Sequence, residues 1–160
     1  MEHGEKVPLP TIAELDGKQI DYELIDTPRP IRSVPDGVKI LHIEAGQTAP
    51  TLILTTDKGF YAAIVSGARG KLDLKAVGVL LGCQTVAMAS KHEVQAVTGY
   101  EPGQIPLTGH GLPCIMDRLL LQHEYIYGGT GQGTVTLKIK PQAVYAANVV
   151  IAELADDGEA

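Results

Sequence analysis

The stretch from Val97 to Leu121, V-T-G-Y-E-P-G-Q-I-P-L-T-G-H-G-L-P-C-I-M-D-R-L-L-L, is what most narrows the folds open to this chain. Thr98-Gly99-Tyr100 ends a helical pattern with the glycine that helices commonly stop on. Gly103, Gly109 and Gly111, interleaved with Pro102, Pro106 and Pro113, then break every regular period. The chain resumes as an apolar strand, Cys114-Ile115-Met116, that stops at Asp117. A helix, a long glycine/proline loop and a buried strand in succession require a mixed α and β domain. In such a loop a residue without Cβ lets a ligand approach the main chain.

The remaining periodicities agree with a mixed class. A short helix over Pro10 to Leu15 is followed by a strand at Ile20 to Ile25, and Thr51–Thr56 with Phe60–Ser66 reads as a hairpin turning at Asp57-Lys58-Gly59. Asp73 is placed to cap a helix that ends at Gly82, and Ser90-Lys91-His92-Glu93 has capping-box spacing before a helix through Val94 and Val97. Pro141 suits the first turn of a final helix carrying Val144, Ala147, Val150 and Ile151. Between residues 26 and 49, Thr27-Pro28-Arg29-Pro30 and Val34-Pro35-Asp36-Gly37 blur the pattern, and no element is assigned there.

Composition bounds the rest. A chain of 160 residues with 44% hydrophobic and 20% charged residues can bury a core as one domain, expected over 1–154, with 155–160 as a frayed tail. With no Trp and one Phe, that core must be aliphatic. No apolar run reaches the ~18 residues of a membrane span, and Met1–Lys6 does not read as a signal peptide, so the expected location is the cytoplasm. Cys83 and Cys114 are isolated, and His3, His42, His92, His110 and His123 lack ligand spacing; neither a metal nor a cofactor is expected. A net charge of −6 argues against extensive contact with a nucleic-acid backbone, though not against a grip on one end of a strand.

Several blocks, taken in order, resemble one known family. Thr51-Leu52-Ile53-Leu54, Leu72-Asp73-Leu74-Lys75, Val86-Ala87-Met88-Ala89-Ser90, the loop and strand above, Tyr127-Gly128-Gly129-Thr130-Gly131, and Thr136-Leu137-Lys138-Ile139 with Pro141 are similar to the signature blocks of the YbaK/prolyl-tRNA-synthetase-associated domains. The likeness covers roughly Ala49 to Val150 and rests on the order of the blocks. It implies an α+β fold with a curved, partly barrel-like mixed sheet flanked by helices. It also implies deacylation in trans of tRNA mischarged with a small amino acid, alanine or cysteine. The partners it implies are the 3' aminoacyl end of tRNA and an aminoacyl-tRNA synthetase, with no membrane.

The resemblance also nominates a site. Gly103, by bringing backbone N–H groups near the ester carbonyl, and Asp117, by receiving the substrate ammonium or holding a loop, would be catalytic; Thr51, Gly99, Pro106, Gly109, Gly129 and Gly131 would bind substrate. Each has a plainer reading: Asp117 as the cap of the Arg118–Leu121 turn, the glycines as helix stops and turns. The run Gly128–Gly133 lies between two strand-like segments, so it reads as a hairpin and not as a phosphate loop leading into a helix. His110 follows the loop as a proton-shuttle candidate or a solvated loop histidine, and Cys114 reads as a buried hydrophobe. The family's lysine ahead of Thr-Leu is replaced by Pro50, which has no donor. Lys39 is a candidate to fill that space. The alternative to a deacylase is therefore a binding module of the same fold that has lost catalysis.

Overall fold

The structure, a computed structural model, describes residues 9–155. The expectations for Met1–Lys6 and for a frayed tail at 156–160 lie outside the described residues. Within them the chain forms five helices and eight strands in two sheets, the mixed α+β class expected, with neither sheet closing into a barrel.

The hairpin is the centre of the larger sheet. Strands β2 (Thr51–Thr56) and β3 (Gly59–Ile64) pair antiparallel with Thr51 opposite Ile64, and Gly59 at φ +113 takes the left-handed turn. β4 (Val86–Met88) adds antiparallel to β2, while β5 (Cys114–Asp117) and β8 (Val150–Leu154) add in parallel beyond β3, giving the order β4-β2-β3-β5-β8. The smaller sheet is antiparallel, with β7 (Val135–Ile139) between β1 (Glu23–Asp26) and β6 (Ile126–Gly128). A parallel bridge from Thr48 to Tyr127 links β6 to the approach of β2, so the sheets nearly join along one side.

The aliphatic core divides on the two faces of the larger sheet. Ile53, Ala62, Ile64, Cys114 and Met116 on one face meet Ile126, Leu137 and Ile139 of the smaller sheet, with Leu15, Val94 and Val144 sealing the edges. Those three come from helices α1 (Leu9–Gly17), α4 (Lys91–Thr98) and α5 (Pro141–Ala147). The opposite face, with Leu54, Ala63 and Ile115, packs on Val77 of α3 (Leu74–Leu81). Alternation along β2 sends Ile53 inward between the sheets and Leu54 to α3, the period-2 consequence of a strand buried on both faces.

The caps fall where the sequence places them. The Asp73 carboxylate accepts from the Lys75 and Ala76 N–H groups, Ser90 and Glu93 form a reciprocal box, and Gly82 and Gly99 end their helices at φ +70 and +81. Two segments differ from expectation. The Pro/Gly-rich run holds helix α2 (Val34–Leu41), because Pro35 sits in the first turn, where its missing N–H costs nothing, and the Ser33 hydroxyl caps the Asp36 N–H. The last helix does not carry Val150 and Ile151. It stops at Ala147, where the Asn148 side-chain amide donates back to the Val144 carbonyl, and the β-branched pair Val150-Ile151 instead opens β8.

Candidate functional site

A cavity of about 300 Å3 opens where the space between the two sheets runs out. One wall is the start of β2, from Thr48 to Leu52; facing it are Tyr127, Gly128 and Gly129 at the end of β6 with Val135 and Thr136 of β7. Helix α2 contributes Val34, Gly37 and Leu41, and the glycine/proline loop contributes Gly103, Gln104 and Ile105. Close packing makes this corner possible. A Cβ on Gly37 would come 3.2 Å from the Thr48 methyl, and one on Gly129 would come within 2.3 Å of the Ile105 carbonyl oxygen.

Thr51, Gly103 and Gly129 are thus brought together around one cavity. Pro106 lies directly behind it, bridged to Gly129, with the Leu107 N–H donating to the Gly129 carbonyl at 3.0 Å. Gly99, Gly109 and Gly131 are not on the wall. The Gly99 N–H donates to the Gln95 carbonyl and is committed to ending α4. Gly109, at φ +83, packs so tightly on α1 that a Cβ would meet the Pro10 carbonyl at 2.4 Å. Gly131, at φ +89, turns the hairpin between β6 and β7, confirming that run as a hairpin. Thr11 of α1 ties these last two segments together, its hydroxyl donating to the Thr130 carbonyl and its carbonyl accepting from the Thr108 hydroxyl.

Asp117 is placed away from the cavity, fully buried. Its carboxylate accepts from the Arg69 guanidinium at both oxygens (2.7 and 2.8 Å) and from the Ser66 and Leu119 N–H groups (both 2.9 Å). The second of those backbone bonds is the cap on the Arg118–Gln122 3-10 turn. Arg69 also donates to the Ala155 carbonyl, so the pair fastens the loop after β3, the end of β5 and the chain beyond β8. With both oxygens engaged, this carboxylate is a structural clamp in the geometry seen here.

His110 is buried as well. The Leu112 N–H donates to its Nδ1 at 3.1 Å, which leaves the proton on Nε2, 3.3 Å from the Cys114 Sγ. Burial holds the imidazole down to about 4 and pushes the thiol up to about 12, so at neutral pH both are uncharged. Neither belongs to the cavity wall.

The polar character of the wall comes from hydroxyls, amides and main chain: Ser33, Thr48, Thr51, Thr130, Gln104 and Gln132. Among the described residues its one charged group is Arg32. Lys39, though on α2, is exposed and off the wall. Pro50 is on it, its carbonyl accepting from the Val65 N–H at 3.1 Å. The Thr51 hydroxyl is buried with no hydrogen-bond partner among the described residues. Leaving such a group unpaired costs on the order of 1–3 kcal/mol. Arg32, Ser33 and Thr48 were not nominated from the sequence, although Ser33-Val34-Pro35-Asp36 carries a helix-start signal that would have put them beside a helix N-terminus. Among the described residues there is no group of three His, Cys, Asp or Glu side chains that could share a metal ion.

The fold and its cavity define the class: an α+β domain with a small cavity lined by main chain, hydroxyls and amides. Residues 28–146 match the aminoacyl-tRNA editing domain, and the chain belongs to that family. It is 25% identical over 135 residues to a proline–tRNA ligase from Desulforamulus reducens, covering 83% of this chain and 23% of that enzyme's length. A solved structure described as a trans-editing enzyme for prolyl tRNA synthetase superposes with a TM-score of 0.76 at 24% identity, covering 89% of this chain and 94% of that one. Another, of a hypothetical protein, gives a TM-score of 0.81 at 24% identity over 89% of this chain and 97% of the other. These two likenesses establish the shared fold.

Proposed function

We propose that this domain hydrolyses the ester of a tRNA mischarged with a small amino acid, alanine or cysteine, acting in trans beside a synthetase. One observation carries the reading. In a chain of the editing family, the loop residue Gly103, the strand residue Thr51 and the hairpin residue Gly129 converge on a single cavity. An aminoacyl ester is already activated, so the site need only hold the terminal nucleoside, polarise the carbonyl through main-chain N–H groups of the Gly103 loop, and admit a nucleophile. Water adds to the carbonyl carbon, the bond to the ribose oxygen breaks, and the proton from water ends on that oxygen. A cavity of about 300 Å3 suits a small side chain.

Pro50 on the cavity wall favours a second reading, a binding module that holds the aminoacyl-adenosine end without turning it over. Two measurements separate them: deacylation of a panel of mischarged tRNAs, and affinity for a non-hydrolysable aminoacyl-adenosine amide. Turnover of Ala- or Cys-tRNA supports the deacylase. Binding without turnover supports the module, and neither binding nor turnover overturns both.

A further inference from the structure

Among the described residues, Arg32 supplies the only charge on the wall of the cavity, at its exposed edge. The turn that carries it is held firmly: the Arg32 N–H donates to Asp36 Oδ2 at 3.1 Å, and the Ser33 hydroxyl accepts from the Asp36 N–H at 3.2 Å. Asp36 does not neutralise the guanidinium, because its carboxylate is paired with Arg29 at 3.2 Å. Arg32 makes no ion pair with any described residue. In a chain of net charge −6, the mouth of this cavity is therefore locally cationic, since from Arg29 to Lys39 the chain carries Arg29, Arg32 and Lys39 against Asp36 alone.

An aminoacyl ester brings an ammonium group of its own, which this arrangement repels. What a guanidinium at the rim can hold is an anion with paired acceptor oxygens. On the proposed substrate the nearest such group to the ester is the phosphodiester joining the terminal nucleoside to the one before it. We propose that Arg32 is a positioning residue that binds this phosphodiester and so sets how far the aminoacyl end enters the cavity. The inference rests on the reading of the cavity as an aminoacyl-nucleoside site.

The test uses two ligands that differ only at the 5' position: 3'-alanylamino-3'-deoxyadenosine with a free 5'-hydroxyl, and the same compound carrying a 5'-methylphosphodiester. The parent protein should bind the diester roughly tenfold more tightly, the scale of one charge-assisted contact. Arg32→Gln should erase that preference, Arg32→Lys should keep part of it, and the three proteins should differ far less on the compound without the phosphodiester. Added salt should weaken diester binding by the parent, by screening the one charge pair, and should do so less in Arg32→Gln. A parent that binds both compounds equally leaves the cavity reading standing and overturns the role of Arg32. Retained preference in Arg32→Gln, or equal loss on both ligands, overturns it too. A parent that binds neither compound removes the cavity reading and this inference together.

Discussion

The cavity wall and the Arg69–Asp117 clamp lie at opposite extremes of how this chain uses polar groups. In the clamp, a fully buried aspartate uses both carboxylate oxygens, accepting from an arginine with 3% of its side chain exposed and from two backbone N–H groups. In the cavity, hydroxyls and amides line an apolar corner, one buried hydroxyl has no partner, and the only charge stands at the rim. A group already saturated by its own fold has nothing left to offer a ligand, whereas an unsatisfied one does. The Asp117 carboxylate stands on the first side of that contrast and the Thr51 hydroxyl on the second.

The strongest way to break this contrast is to remove the clamp. Asp117→Ala should cost about 3–5 kcal/mol of stability, because it strands a buried guanidinium. Affinity of the folded fraction for the aminoacyl-adenosine amide should be unchanged. Urea unfolding and calorimetric titration check the two halves, and a stable Asp117→Ala protein with lost affinity would move this residue back into the site.

His110 makes the frame sensitive to pH where the cavity is not. Its folded value of about 4 lies below the ordinary 6.5, so the unfolded chain binds the extra proton first. The stability it contributes is present above pH 6.5 and is lost as pH falls toward 4, on the order of 3 kcal/mol over that window by linkage. The stability difference between the parent and His110→Asn should narrow over the same range. A pH-independent difference would mean that the imidazole is not held neutral.

Pro50→Lys probes the cavity directly. A donor returned to the start of β2 should raise deacylation by roughly a hundredfold if the site works below strength for want of it. If brisk native turnover is abolished by the change, the chain has its own catalytic arrangement.

Gly103→Val is a smaller perturbation. A Cβ there meets nothing within 4 Å, but φ is +88, so about 1–2 kcal/mol of backbone strain is expected together with reduced turnover and analogue affinity. Smallest is Thr51→Val, which removes an unpartnered hydroxyl and should leave stability unchanged or raise it by about 1 kcal/mol. A clear loss of stability would show that the hydroxyl has a partner in solution.

Much of this was legible in the chain, and the exceptions have physical causes. Asp73, Ser90, Gly82 and Gly99 are local signals, each satisfied within a turn of itself, and the structure uses all four as read. Helix α2 was hidden because Pro35 and Gly37 look like breakers, when one occupies a first turn and the other a close contact with Thr48. Strand β8 was mistaken for helix because Val144, Ala147 and Val150 share a helical spacing that ends at Asn148, a stop made by a side-chain amide. Around the cavity, Thr51, Gly103 and Gly129 are positions that the family resemblance nominates. The partner that occupies Asp117 could not be foreseen, since Arg69 lies 48 residues away and only the parallel pairing of β3 with β5 brings them together.

That parallel pairing has a consequence for synthesis. β1 waits for β7, with Glu23 opposite Lys138, and β5 stays an open edge until Val150–Leu154 arrives to cover it. Long-range parallel partners are slow to find, and an uncovered apolar strand invites pairing with another chain. The nascent polypeptide must therefore carry β5, buried at all four positions in the finished domain, without its β8 partner until Val150–Leu154 has left the ribosome. The Arg69 contact to Ala155 closes only then, so this guanidinium is a latch that can engage solely on a completed domain.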